Sequence, residues 1–149
     1  MTAEPGEHVV EVERRIAAAP DEVFDFLTDP LKYVRWKGIE AELDPRPGGR
    51  YRVRMTKDSA VAGTYVAVER PTRVVFTWGW EGNDELPPGT STVEITLSED
   101  GDGTLVRLRH SGLPDAASSD LHRAGWVHLV DRLVVAGGGG DPGPDLVVR

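Results

Sequence analysis

Hydrophobic and polar residues alternate through most of this chain and change period near its end. In residues 8–16, Val10, Val12 and Ile16 fall on one side and Glu11, Glu13 and Arg15 on the other, the two-residue period of a half-buried strand. Arg14 falls on the apolar side, which puts it near the strand's exit or at a bulge. Residues 39–43 read as a short strand. Tyr51, Val53 and Met55 then alternate with Arg50, Arg52 and Arg54. Residues 61–69 form a return strand with Gly63 as a bulge or close-approach point. Val74, Phe76, Trp78 and Trp80 share the next face. Val93, Ile95 and Leu97 oppose Thr92, Glu94 and Thr96, and Thr104, Val106, Leu108 and His110 oppose Leu105, Arg107 and Arg109. Turns at Pro45-Arg46-Pro47-Gly48-Gly49, Lys57-Asp58-Ser59, Arg70-Pro71-Thr72 and Asp100-Gly101-Asp102-Gly103 join these strands closely enough to make them antiparallel. Residues 81–90 are polar and rich in Pro and Gly, which predicts a surface loop.

Two segments follow a helical period instead. Ala19-Pro20-Asp21-Glu22 starts a helix, with proline in its first turn and acids at its positive end. Val23, Phe24, Phe26 and Leu27 give its apolar face. Thr28-Asp29-Pro30 stops it and begins a second short helix over 31–36. After Pro114, residues 115–136 place His122, Trp126, Leu129, Val130 and Leu133 three and four apart, one stripe of a long amphipathic helix. Gly125 sits inside that helix, where glycine costs roughly 1 kcal/mol against alanine, and a close backbone approach would explain it. The pattern predicts an α+β domain over 8–136: a strand, two short helices, about five or six antiparallel strands, and one long helix able to cover a curved sheet. Residues 1–7 read as a loose start, and 137–149, opening with GGGG, as a flexible tail.

Composition narrows the function. With 39% hydrophobic and 28% charged residues the chain is an ordinary globular sequence. No apolar run approaches about 20 residues, so no membrane span is expected. The start, MTAEPGEH, lacks the features of a signal peptide, and a cytoplasmic location is the default expectation. The absence of cysteine excludes disulfides, zinc-thiolate sites and a cysteine nucleophile. A net charge of −8 argues against nucleic acid as a partner. No phosphate-binding glycine loop, nucleotide fingerprint or G-x-S-x-G is present, so no cofactor is expected. Three of the histidines, His110, His122 and His128, include no i, i+4 pair, and no metal site is expected.

The order of these elements resembles the START-like, helix-grip superfamily (SRPBCC). Within it the chain is similar to the bacterial branch related to the activator of the heat-shock-protein-90 ATPase. The resemblance spans residues 8–136. It rests on Ile16 through Phe24 at the first strand–helix junction, residues 31–36, Pro45 with Gly48-Gly49, and Gly63. It continues through Pro71-Thr72-Arg73-Val74-Val75-Phe76-Thr77-Trp78, Gly103-Thr104, His110-Ser111-Gly112, and Gly125-Trp126 with Leu129 and Leu133. It implies a helix-grip fold, a curved antiparallel sheet wrapped around the C-terminal helix, with a mainly apolar cavity between them. Members include lipid carriers, cyclases, ligand binders and co-chaperone domains, and the fold does not choose among them.

On that expectation the cavity is lined by Tyr51, Val53, Phe76, Trp78, Trp80, Ile95, Leu108 and His110 from the sheet. Trp126, Leu129 and Leu133 face it from the helix, and Trp36 closes one end. Aromatic walls with few polar groups suit a small apolar or aromatic ligand; the alternative is that these side chains fill the core. His110, at the inward end of the last strand, is the one candidate acid–base group, or else it caps the loop that follows. The outward arginine stripes, 50, 52 and 54 and 107 and 109, are expected to pair with Glu11, Glu13 and Glu94. A non-catalytic binder or carrier therefore ranks first. A cofactor-free cyclase or dehydratase using His110 ranks second, and a co-chaperone-like interaction module third. A homodimer through a sheet edge stays open.

Overall fold

The structure is a computed structural model and describes residues 8–143. Its strands are β1 (His8–Ile16), β2 (Glu40–Leu43), β3 (Arg50–Thr56), β4 (Ser59–Glu69), β5 (Arg73–Trp80), β6 (Ser91–Asp100) and β7 (Gly103–Leu113). Helices α1 (Pro20–Thr28) and α2 (Pro30–Tyr33) follow β1, and α3 (Ala116–Gly137) follows β7. All neighbouring strands are antiparallel, in the order β1-β7-β6-β5-β4-β3-β2. From β2 onward each strand pairs with the next. Only β1 lies out of sequence, added to β7 at the far edge, and α1 and α2 carry the chain from that edge to the other. The curved sheet grips α3, as the sequence pattern predicts.

Helix α3 begins where Asp115, in extended backbone, accepts a hydrogen bond from the Ser118 N–H at 2.8 Å. This satisfies one of the free amides of the first turn. Trp126, Leu129, Val130, Leu133 and Ala136 are buried in one core with Val10, Ile16, Val106 and Leu108 of β1 and β7. Each valine, leucine or isoleucine among them contributes roughly 1.5–3 kcal/mol when fully removed from water. Arg14 is on the inner side of β1 because its Nε reaches Asp131 of α3 at 2.9 Å. The irregularity in β1 lies between His8 and Val10, away from Arg14. Arg123 adds bonds of 3.4 Å to the carbonyls of Val9 and Glu11.

The outer face is charged; Arg107 and Arg109 pair as expected, with Glu13 and Glu11, whereas Glu94 is taken by Arg73, outside the expected stripes. Arg52 and Arg54 instead meet Glu42 and Glu40, their register partners on β2, and Arg52 also grips Glu81. At the C-terminal end of α3, Arg132 donates to the carbonyls of Pro142 at 3.3 Å and Gly143 at 2.9 Å. Residues 1–7 and 144–149, where the loose start and the last part of the tail are expected, lie outside the described residues. Among the described residues no helix is long and apolar enough to cross a membrane.

Candidate functional site

Among the described residues, large side chains fill much of the concave face. Tyr51 and Phe76 stack with ring centroids 4.1 Å apart, and Tyr51, Val53, Phe76, Ile95, Leu108 and Leu133 are all at most 2% exposed. These large side chains close the space between the sheet and the second half of α3. An open cleft of about 850 Å³ lies at one end instead, between the first half of α3, the end of β5, the β3–β4 turn and the 81–90 loop. Trp78, Trp80 and Trp126 form much of its wall, with Met55, Leu86 and Leu129.

The loop that walls the cleft is built into the fold, although its composition predicts an ordinary surface loop. Leu86 is 3% exposed and joins the core. Asn83 Oδ1 accepts from the N–H groups of Glu85 at 2.8 Å and Leu86 at 2.9 Å. The Trp80 N–H donates to the Leu86 carbonyl at 2.8 Å. Residue 79 must be glycine for this to happen, since a Cβ there would stand 1.9 Å from the Pro87 carbonyl oxygen. Gly125 differs from the expected close approach. A Cβ added to it meets nothing within 4 Å, because it faces the cleft.

Two histidines sit behind and beside the wall, each fixed by groups that can act only one way. The Trp126 indole N–H, a donor only, gives its hydrogen to His110 Nδ1 at 3.0 Å. Nε2 of His110 therefore carries the ring proton and donates to Ser91 Oγ at 2.8 Å, and Ser91 Oγ donates in turn to the Trp78 carbonyl at 2.8 Å. Burial, then electrostatic repulsion that His122 and Lys37 would exert on a protonated ring, pushes the His110 pKa down to about 3. His110 is fully buried, does not line the cleft, and is neutral with both nitrogens engaged. It thus lacks a free nitrogen facing a ligand, which the acid–base expectation requires. His122 does line the cleft. It accepts from the Trp80 indole N–H at 3.1 Å and donates from Nδ1 to the Ser118 carbonyl at 2.7 Å. Burial lowers its pKa, opposed by the Ser118 bond.

Sequence reasoning missed Lys37. It lies in the turn segment after α2, is fully buried, and places Nζ 2.9 Å from the Tyr51 hydroxyl. The Tyr51 hydroxyl also shares a short hydrogen bond with that of Tyr33. Nζ stands 4.1 Å from the centroid of Trp78 and 5.3 Å from that of Trp126, the two indoles that also wall the cleft. Burial holds the Lys37 pKa well below the ordinary lysine value and holds those of Tyr33 and Tyr51 well above the ordinary phenol value. A lysine in a turn, outside any periodic run, carries no sequence signal of burial. Trp36 is buried beside it, donating its indole N–H to the Phe26 carbonyl at 2.8 Å, and is not on the cleft. Of the expected site residues, the structure brings Trp78, Trp80, Trp126 and Leu129 to the cleft and keeps the others in the core. Among the described residues no group of three His, Asp or Glu side chains converges as a metal site would require.

Known proteins place the chain in a family. Residues 17–137 match the model of the Activator of Hsp90 ATPase homolog 1-like proteins. The solution structure of an AHSA1-like protein from Rhizobium etli is 44% identical, with a TM-score of 0.77 over 99% of this chain and 92% of that one. The crystal structure of CalU16 from Micromonospora echinospora is 30% identical, with a TM-score of 0.72 over 88% of this chain and 76% of that one. DynU16, a protein of the dynemicin biosynthetic locus, shares the fold at 24% identity and a TM-score of 0.79. The match covers 91% of this chain but about half, 49%, of DynU16. No curated protein matches the chain. On the family model and the 44% identity together, the chain belongs to the AHSA1-like family, within the START-like helix-grip fold.

Proposed function

We propose that the protein is a non-catalytic binder or carrier of a small apolar or aromatic molecule, held in the cleft between the 81–90 loop and the first half of α3. The observation that carries this reading is the wall itself. Three indoles surround a space of about 850 Å³, within the range of small-molecule sites. Gly125 leaves the α3 side open where a large side chain would intrude. An enzymatic role for His110 has less support, because Ser91 and Trp126 already occupy its two nitrogens.

The test is titration of the protein with apolar aromatic compounds, followed by the indole N–H resonances of Trp78, Trp80 and Trp126. Gly125→Leu serves as the blocked control. Shifts at these indoles that saturate in the native protein and vanish in Gly125→Leu are expected. Shifts that persist unchanged in Gly125→Leu would remove the cleft from consideration.

A further inference from the structure

The cleft has a charge character that its apolar wall conceals. Among the described residues that line it there is no lysine or arginine, while Glu81, Glu85 and Asp115 bring three carboxylates to its rim. Glu81 is neutralised by Arg52, which binds both carboxylate oxygens at 2.7 and 2.9 Å. Glu85 and Asp115 are exposed on opposite sides of the mouth, one on the loop and one at the start of α3.

The start of α3 would ordinarily attract an anion. Here Asp115 takes the Ser118 N–H with its own carboxylate, so a carboxylate already answers the positive end of the helix. Inside the mouth the wall is apolar, and the partly exposed Trp80 adds an indole ring, whose faces are electron-rich. His122 offers no positive charge, since burial lowers its pKa and its Nε2 accepts from Trp80. An anionic ligand would meet two carboxylates on entry and no lysine or arginine among the described residues of the wall. A cation would meet carboxylates at the rim and the Trp80 ring within.

We propose that the cleft selects an aromatic molecule carrying a positive charge, an arylalkyl ammonium or amidinium, over its anionic counterpart. The inference rests on the binding reading above and specifies its ligand class. Fatty acids and other carboxylate lipids are thereby excluded as preferred ligands.

Three probes of one skeleton test it on the full chain at pH about 8, where unperturbed imidazoles are neutral: naphthylmethylammonium, naphthylmethanol and naphthoate. The indole N–H resonances report binding. The ammonium is expected to bind about tenfold tighter than the carboxylate at low salt, with the alcohol between them. Added salt should narrow the difference. In the Glu85→Gln, Asp115→Asn double variant the ammonium and carboxylate should come within about twofold of each other while the alcohol keeps its affinity; asparagine preserves the helix cap. Equal or tighter binding of naphthoate, with the naphthyl ring still shifting the cleft indoles, overturns the charge selectivity and spares the binding reading. No shift at Trp78, Trp80 or Trp126 by any of the three overturns both.

Discussion

Lys37 Nζ donates to the Tyr51 hydroxyl at 2.9 Å in a part of the core that solvent does not reach. Among the described residues no carboxylate pairs with the ammonium form there; it meets the phenol and the faces of Trp78, Trp126, Tyr33 and Tyr51. Rings and one hydroxyl compensate a buried charge only partly, which is the physical reason its pKa falls. The same indoles also line the cleft, so this buried amine backs the proposed site.

A stability prediction follows from the direction of that shift. The folded pKa of Lys37 is lowered, whereas the unfolded value stays near 10.4. Between the two, the unfolded state binds more protons, so stability rises with pH across this window. Lys37→Met removes the charge and keeps the length. It is expected to raise stability at pH 7 by about 1 kcal/mol or more and to flatten the rise with pH up to about 9.5, just below the range where the tyrosines begin to titrate. Urea unfolding of both proteins at several pH values measures this. An unchanged slope would mean that Lys37 is as solvated as in the unfolded chain.

His110 gives a second pH dependence in the acid range. Its folded pKa is about 3 against about 6.5 unfolded, so stability is full above about 6.5 and is lost as pH falls toward 3. His122 titrates in the same direction. From pH 6.5 to 5 the loss assigned to His110 is roughly 2 kcal/mol. His110→Phe should abolish that part of the slope. It should also cost about 2 kcal/mol at neutral pH, because the Trp126 N–H loses its buried acceptor. Urea midpoints at pH 7 and 5 separate the two effects. If His110→Phe keeps its full stability, the imidazole is not holding Trp126.

These two residues also show what a sequence can and cannot display. The alternation of Tyr51, Val53 and Met55 with three arginines located β3, because a two-faced strand repeats its environment every second residue. The three- and four-residue stripe likewise located α3 to within a residue at each end. His110 was placed on the inner face by the same alternation. Its neutral, doubly engaged state depends on Trp126 and Ser91, which are 16 and 19 residues away, and no local pattern records such a contact. Lys37 and Leu86 lie in irregular segments, where burial has no period to reveal it. The cleft itself depended on the path of the 81–90 loop, and so on a single buried leucine among polar residues.

Gly125→Ala separates helix energetics from ligand binding. A methyl group there meets no atom within 4 Å, so the substitution should gain the helix propensity difference of about 0.5–1 kcal/mol without strain. Thermal unfolding should show a higher midpoint. Destabilisation instead would mean that the first half of α3 needs a bend only glycine allows.

Gly79→Ala acts on the loop from beneath. Its Cβ would stand 1.9 Å from the Pro87 oxygen and 2.4 Å from the Pro88 nitrogen, closer than atoms can approach, so loop or strand must move. The loop is the weaker side. It is held to β5 by the Trp80–Leu86 backbone bond and by Leu86 in the core, whereas β5 is paired along both edges. The loop is therefore expected to lift, exposing Leu86 and opening the cleft, while the sheet persists. Hydrogen exchange should accelerate at the Trp80 and Leu86 amides and stay slow in β6 and β7. Leu86→Ala should accelerate the same two amides and lower stability by about 2 kcal/mol. Acceleration spread evenly over β5, β6 and β7 in Gly79→Ala would show that loop and sheet unfold as one unit, and the cleft wall would then have no independent mobility.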